Sequence, residues 1–372
     1  MPQFNYHQWQ WLIFVSILSA VFLHKLAKKI GGTLTACTAY FLTWTIYRCY
    51  FEDIAQRLNP LAALVVEVYG NNFFTEFLLF GIALIFLNPK IKNIEKTFSW
   101  LCILNTSLCF LRLICIYLAP EDLFLFAMDT PILKPFFVND IWWRGLVANP
   151  SMNGIFTALL IPFLEYKWFI PLAVIAVLTS KSATCVGIIA FYAIYLLWKK
   201  YRFGIKSVLA AITITAGSVA GFLHYRGMYS ITSSGRLLVW EKSMRYFHDF
   251  ANIFYGVGPS TYFVYGPLIQ KFYGFQTPDH DIWVMLHSDI LQTLFQFGYT
   301  GLIVLIVSIA SILNRALWHE KTFVSLSAFL IAMTNYYPLE WPSHLSILLF
   351  LLLIAFSPES AQSKSDAKPN SY

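Results

Sequence analysis

The chain is a succession of long apolar runs, with its charges held in the stretches between them. The runs lie near residues 9–23, 33–51, 72–87, 98–118, 150–164, 168–179, 183–198, 205–223, 287–313, 323–336 and 344–356. A helix needs roughly 20 residues to cross a bilayer, and most of these runs approach or reach that length. Only 12% of the residues are charged, against 58% hydrophobic. A soluble domain carries about 25% charged residues. Half that share leaves too few polar side chains to cover a water-facing surface, so the solvent is largely lipid. The expected fold is all-α: a polytopic membrane protein of about 11 (10–12) transmembrane helices. One membrane domain is expected over 1–358, followed by a solvated, disordered cytoplasmic tail, 359–372, rich in Ser, Ala, Lys and Asp. Residues 9–23 read as a retained span, because no basic stretch precedes them and no small-residue cleavage site follows.

The placement of Lys and Arg orients the chain. Alternate connections hold Lys25, Lys28 and Lys29; Lys90, Lys92 and Lys96; Lys167; Lys199, Lys200, Arg202 and Lys206; Arg315 and Lys321; and Lys364 and Lys368 in the tail. The short connections on the other side hold only Arg57, Lys134, Arg144 and Lys181. Positive charge stays on the cytoplasmic side. This puts the C-terminus inside, the N-terminus outside, and the long loop 224–286 on the extracytoplasmic face. The net charge of +7 is thereby accounted for. No basic block interleaved with aromatics occurs in a soluble stretch, which argues against a nucleic-acid partner. The six cysteines lie in or at the ends of apolar runs, without metal-ligand spacing, and read as small buried side chains.

Polar chemistry concentrates in the loop. It carries Arg226, Arg236, Lys242, Arg245 and Lys271, with His224, His248 and His280, and His287 at its close. Residues 237–247 have helical spacing, with Leu238, Glu241, Met244 and Arg245 near one face. Arg236 would start that helix, capped by Ser233 or Ser234. A helix N-terminus beside a guanidinium can cradle a phosphate; equally, Arg236 can simply solvate the helix end. Gly256-Val257-Gly258-Pro259 marks a tight turn that folds the loop back onto the membrane. His287 stands at the outer end of the next span, where a neutral imidazole can take a proton from a hydroxyl. Asp289 can orient an acceptor or cap the helix. Asp279-His280-Asp281 superficially resembles a metal-binding carboxylate pair, but reads better as a solvated acidic turn after Pro278. Arg48, Arg112, Glu67 and Glu76 in or beside spans read as internal pairs. Arg144, just before the run at 150, and Lys181 would face outside.

Four stretches, in order, resemble the O-antigen ligase and polymerase superfamily (the WaaL and Wzy proteins and their protein O-oligosaccharyltransferase relatives). WWRGLVANPSMNGIFTALLIPF looks like the family's Gly/Asn-rich lead-in to a middle span, and LTSKSATCVGIIAFYAIYLL like its small-residue turn and following helix. SSGRLLVW matches the S-G-R-x-x-x-W start of an outer helix at Ser234, Gly235, Arg236 and Trp240, with NIFYGVGPSTY following. LHSDILQTLFQFGYTGL matches the H-x10-G pattern, His287 to Gly298, with Gly301 after it. The departures are Lys181 where Arg is frequent, Ser288 where Asn is common, Gln296-Phe297 where an acidic residue often precedes the glycine, and a low span count. The likeness covers about 141–313.

The resemblance implies a glycosyltransferase at the outer face of a bacterial inner membrane, using an undecaprenyl-diphosphate-linked glycan. In that reading Arg236 and Arg144 hold the diphosphate with Arg226 or Arg245 as helpers, His287 is the base, Asp289 orients the acceptor, and neither metal nor other cofactor is needed. The acceptor is lipid A–core for a ligase, slightly preferred here, or a growing polysaccharide for a polymerase. The rival class is a transporter or flippase of a lipid-linked or small substrate. It would work through midplane charges such as Glu76 and Arg112.

Overall fold

The computed structural model describes residues 20–50, 79–80, 82–87, 89–118, 146–147, 149–180, 182–201, 236–258, 262–274, 286–336, 339 and 342–357. Its helices are α1 (Gly32–Tyr50), α2 (Ile91–Leu118), α3 (Pro150–Leu160), α4 (Ile170–Leu178), α5 (Ala183–Tyr201), α6 (Arg236–Phe250), α7 (Tyr262–Tyr273), α8 (Asp289–Ala316), α9 (Glu320–Asn335) and α10 (Pro342–Ala355). Among the described residues the fold is helical, with an isolated β-bridge between Asn252 and Gly256. Among the described residues two helices are long and apolar enough to cross a membrane, α5 and α8; shorter apolar helices cover Ser151–Phe163, Lys167–Leu178 and Ser343–Ala355. The expected span at 205–223, residues 9–19 of the first, half of 72–87, and the tail lie outside the described residues. The chain divides into two compact units: Met1–Leu87 with Ile214–Arg315, and Asn88–Thr213 with Ala316–Tyr372.

The second unit packs α2, α5, α9 and α10 around α3. Met152, Ile155, Phe156, Ala158, Leu159 and Leu160 bury α3 on every side, as an all-round apolar helix requires. Asn149 caps it, accepting from the Met152 N–H at 3.1 Å, and Pro150 occupies the first turn. Two carbonyls near its far end are satisfied by neighbouring hydroxyls, Tyr192 to Ala158 at 2.8 Å and Ser325 to Leu159 at 2.7 Å. At about 1.5 Å per residue α3 and its 3₁₀ extension, Ile161–Phe163, fall short of the roughly 30 Å of a hydrocarbon core. The chain then turns, with the Glu165 N–H bonded to Ser99 Oγ at 3.1 Å, and returns through α4.

Ion pairs gather one end of this unit. Lys199 at the close of α5 meets Glu320 at 2.6 Å, and Glu95 in the first turns of α2 meets His319 and Lys321, each at 2.9 Å. The connections before α2, after α5 and before α9 are three that charge placement assigns to one side, and they do come together. His319 also caps α9 through Nδ1, which takes the Thr322 N–H at 3.4 Å. Towards the opposite end, the absent side chain of Gly154 leaves room for Ser180 and Cys185; a Cβ there would overlap both. The first two of the four family-like stretches therefore pack on each other. Cys37, Cys102, Cys109 and Cys185 are buried thiols, as their apolar settings led us to expect.

The first unit carries the loop. The buried face of α6 is Val239, Ser243 and Phe247, spaced one turn apart; Met244 is only partly buried, and Glu241 and Arg245 point to solvent. Val239 and Phe247 join Ile269 of α7 and Leu286, Leu294 and Phe295 in one core, with Trp240, Tyr246 and Tyr265 against it. Full burial is worth about 1.5–3 kcal/mol for a side chain of this size. The cluster ties α6, α7 and the start of α8 into one lobe.

Sequence reading treats 287–313 as one span, but α8 is two helices joined at Gly298, where φ is 68° and ψ −169°. A straight helix would bond Tyr299 and Thr300 N–H back to Phe295 and Gln296. At the break those four groups bond to the loop. Val257 and Gly258 N–H donate to the Phe295 and Gln296 carbonyls at 3.0 and 2.8 Å, and Tyr299 and Thr300 N–H donate to Ile253 and Phe254 carbonyls at 2.9 and 3.2 Å. Asn252 shapes the inserted segment by accepting Phe254 and Tyr255 N–H at 3.0 and 3.2 Å. The Gly256–Gly258 turn thus folds the loop back, and its landing point is the break in α8.

Candidate functional site

The loop lobe brings the last two family-like stretches together. Leu286, fully buried, is clamped on both sides: its N–H goes to Gln292 Oε1 at 3.2 Å, and its carbonyl accepts from Trp240 Nε1 at 2.5 Å. Ser288 then caps α8, accepting the Leu291 N–H at Oγ (3.3 Å), while its carbonyl accepts Gln292 N–H at 2.8 Å. Between these anchors His287 is held in the left-handed region, φ 51°. A non-glycine residue there is uncommon, and such strain concentrates at functional positions.

Arg236 opens α6, as its position before the apolar spacing indicates. Its charge reaches His287. Burial first, and the Arg236 guanidinium second, push the imidazole from 6.5 down to about 4. Arg236 Nε and His287 Nδ1 are both shielded from solvent. The arrangement therefore places a permanent cation, at the positive end of a helix, beside an imidazole that is neutral at pH 7. Asp289 follows as the first residue of α8 and is buried, along with Ser288, Gln292 and Gln296.

The other expected residues are distributed differently. Arg245 sits nine positions along α6, about 14 Å away and half a turn round from Arg236. Its side chain is 64% exposed, 3.8 Å from Asp249 and over the Tyr273 ring at 5.8 Å. The structure does not bring it to Arg236 and His287. Arg144, Lys181, Arg226, Ser233, Ser234, Gly235 and Asp279-His280-Asp281 lie outside the described residues, as do Glu67 and Glu76. The backbone just after Arg144 is fixed within the second unit. Leu146 N–H donates to Asn105 Oδ1 at 2.5 Å and Val147 N–H to Asn153 Oδ1 at 3.4 Å, while Asn105 Nδ2 donates to Thr157 Oγ1 at 2.7 Å.

Sequence reasoning passed over Asn105, Gln292 and Trp240 as anchors. A buried amide in an apolar run was the available signal for Asn105, since such a group must find partners.

Residues 168–306 match the family model described as O-antigen ligase. The chain carries an O-antigen ligase-type domain. This match takes in three of the four family-like stretches, from the turn before α5 through α6 to the His287–Gly298 segment; the stretch at 142–163 precedes it. No curated protein matches the chain. Within the O-antigen ligase domain, Arg236 and His287 form the described cation–imidazole pair of the loop lobe.

The depressed pKa sets a pH signature. His287 is neutral, and able to accept a proton, at all pH values above about 4. The acid limb of kcat/KM is expected near pH 4, well below the 6.5 of an ordinary histidine. Arg236→Gln removes the smaller cause, so the limb should rise but stop short of 6.5. A limb at 6.5 or above in the unsubstituted protein would contradict this placement of His287.

Proposed function

We propose that this protein transfers a glycan from undecaprenyl diphosphate to a hydroxyl acceptor at the periplasmic face of the bacterial inner membrane. The match of residues 168–306 to the O-antigen ligase family model supports a membrane enzyme acting in O-antigen or related polysaccharide assembly. The observation that carries the chemistry is the Arg236–His287 pair, a fixed cation beside a neutral base. In the transfer, the acceptor oxygen bonds to the sugar's anomeric carbon and the bond from that carbon to the diphosphate oxygen breaks. The acceptor's proton goes to His287, and the electron pair stays with the diphosphate. Negative charge grows on the leaving oxygen, where Arg236 and the N–H groups opening α6 oppose it. Arg144 and Arg226 share the diphosphate in this reading, and Asp289 orients the acceptor. Arg245, turned away on α6, stands apart from this set. Because guanidinium groups neutralise the leaving group, the reaction proceeds without a metal.

The preferred acceptor is lipid A–core, which makes the protein a ligase; a polymerase would extend a lipid-linked repeat. Lipopolysaccharide from a strain lacking the gene, run on a gel, separates the two. A ligase's loss leaves uncapped core with long chains still on carrier lipid, whereas core bearing single repeats means a lost polymerase. Activity of the purified protein should survive EDTA. Its collapse would bring Asp279 and Asp281 back as metal ligands.

A further inference from the structure

The loop lobe exposes large rings that no water-facing surface requires. Phe250, Phe254 and Phe272 are 59%, 61% and 62% exposed, and Tyr255 and Leu268 are exposed as well. Phe250 and Phe272 come from different helices yet stack edge-on at 5.5 Å, with Tyr246 at 5.0 and 6.4 Å from them. They form one patch.

Its height relative to α8 is fixed by the break. Ile253 and Phe254 carbonyls accept the Tyr299 and Thr300 N–H groups, and the His248 ring lies 6.3 Å from Tyr299. The end of α6 and the segment after it therefore sit where the second helix of α8 begins. That helix presents Ile303 and Ile306, 61% and 56% exposed, with Val307 also exposed. Before the break, Leu294, Phe295 and Phe297 are buried within the protein. The exposed apolar face of α8 thus begins at the level that Phe254 and the end of α6 give the lobe's patch. Exposed cations border it, with Lys271 next to Phe272 and Arg245 one turn before Asp249.

We propose that the loop lobe lies on the membrane, with Phe250, Phe254 and Phe272 inserted at the headgroup–acyl boundary of the leaflet where α8 enters, and with Lys271 and Arg245 facing lipid phosphates. The occupant of the patch is lipid, because the patch lies at the level where the exposed apolar face of α8 begins, the face that a bilayer span turns to lipid. This rests on the reading that α8 beyond Gly298 crosses the bilayer. The lobe is then tethered twice, by the hydrogen bonds at the break and by its rings, which keeps Arg236 and His287 beside the membrane that holds a lipid-linked donor.

The test uses the full chain in nanodiscs of phosphatidylethanolamine and phosphatidylglycerol. Nitroxides are placed singly through Phe250→Cys, Phe254→Cys, Phe272→Cys, Ile303→Cys and Glu241→Cys, and collision with oxygen and with a nickel chelate is measured. The unsubstituted chain, whose described thiols are buried, sets the labelling background, and an unchanged elution volume confirms folding. The three ring positions should favour oxygen at a depth of about 5–10 Å, with Ile303 deeper and Glu241 aqueous. Nickel access at the rings equal to that at Glu241, with Ile303 still in lipid, overturns the proposal and leaves the span reading standing. Rings shielded from both reagents overturn it too, since a protein surface then covers them. An aqueous Ile303 overturns the span reading and the proposal together.

Discussion

His287→Asn is expected to lower glycan transfer about 10²–10⁴-fold, the usual worth of a positioned general base, while leaving the lobe folded. Asparagine is the informative replacement because of the backbone. His287 holds a φ of 51°, and Asn tolerates the left-handed region better than alanine or a branched residue. The substitution thus removes the proton acceptor and keeps the conformation. Arg236→Ala should cost about 10²–10³-fold, as for other donors aimed at developing negative charge. The double variant should lose much less than the product of the two, since both act on one step. The measurement is transfer from purified lipid-linked donor, with circular dichroism as the folding control. In cells, surface polysaccharide left intact by both single variants but abolished by Arg112→Ala would favour the transporter reading instead.

The second large effect concerns glycine. Gly298→Ala and Gly256→Ala should each prevent the lobe from docking on α8. Gly298 occupies a backbone region essentially closed to other residues, with φ 68° and ψ −169°, which by itself costs about 1–3 kcal/mol. A Cβ on Gly298 would also run into the backbone of Phe254 and Tyr255, and one on Gly256, φ 70°, into that of Gln296 and Phe297. Backbone cannot step aside as a side-chain tip can. Separation lets the Tyr299 and Thr300 N–H groups return to the Phe295 and Gln296 carbonyls, but it removes all four bonds that hold Ile253, Phe254, Val257 and Gly258 on α8. Thermal unfolding in detergent should show a collapsed or missing transition for the lobe. Gly187→Ala is the contrast. Its nearest neighbour would be Ile331 Cγ2 at an ordinary 3.9 Å, so alanine there should be neutral or stabilising by about 0.5–1 kcal/mol. Equal tolerance at Gly298 and Gly187 would remove the case for a stitched break.

Much of the site is legible in one dimension. Arg236 is found at a helix start because its position relative to the apolar spacing says so, and the four stretches in order indicate the family. The break in α8 is not legible in the same way. Ile290, Leu291, Leu294 and Phe295 are as apolar as Ile303 to Val307, yet the first group is wrapped in protein and the second is largely exposed. Hydropathy reports that a side chain avoids water; it does not say whether lipid or protein takes its place. Arg245 illustrates a different loss. Its charge suggests a helper, but nine residues along a helix is two and a half turns, and that arithmetic already turns it away from Arg236. Asn105 is hidden for a third reason: its partners, Leu146 and Thr157, lie 41 and 52 residues away.

The exchange of hydrogen bonds at Gly298 also bears on how the chain is made. Ribosomes synthesise residues 253–258 before residues 295–300. The carbonyls of Ile253 and Phe254 therefore leave the translocon ahead of the N–H groups that they receive. Until that meeting, the apolar stretch from Asp289 to Ala316 can travel as one continuous helix with its own bonds intact, which is how a translocon hands segments to lipid. Breaking at Gly298 is then a late event, possible only once residues 253–258 and 295–300 have met. In that order the bend follows the helix, and His287 takes up its place beside Arg236 only in the last stage of folding.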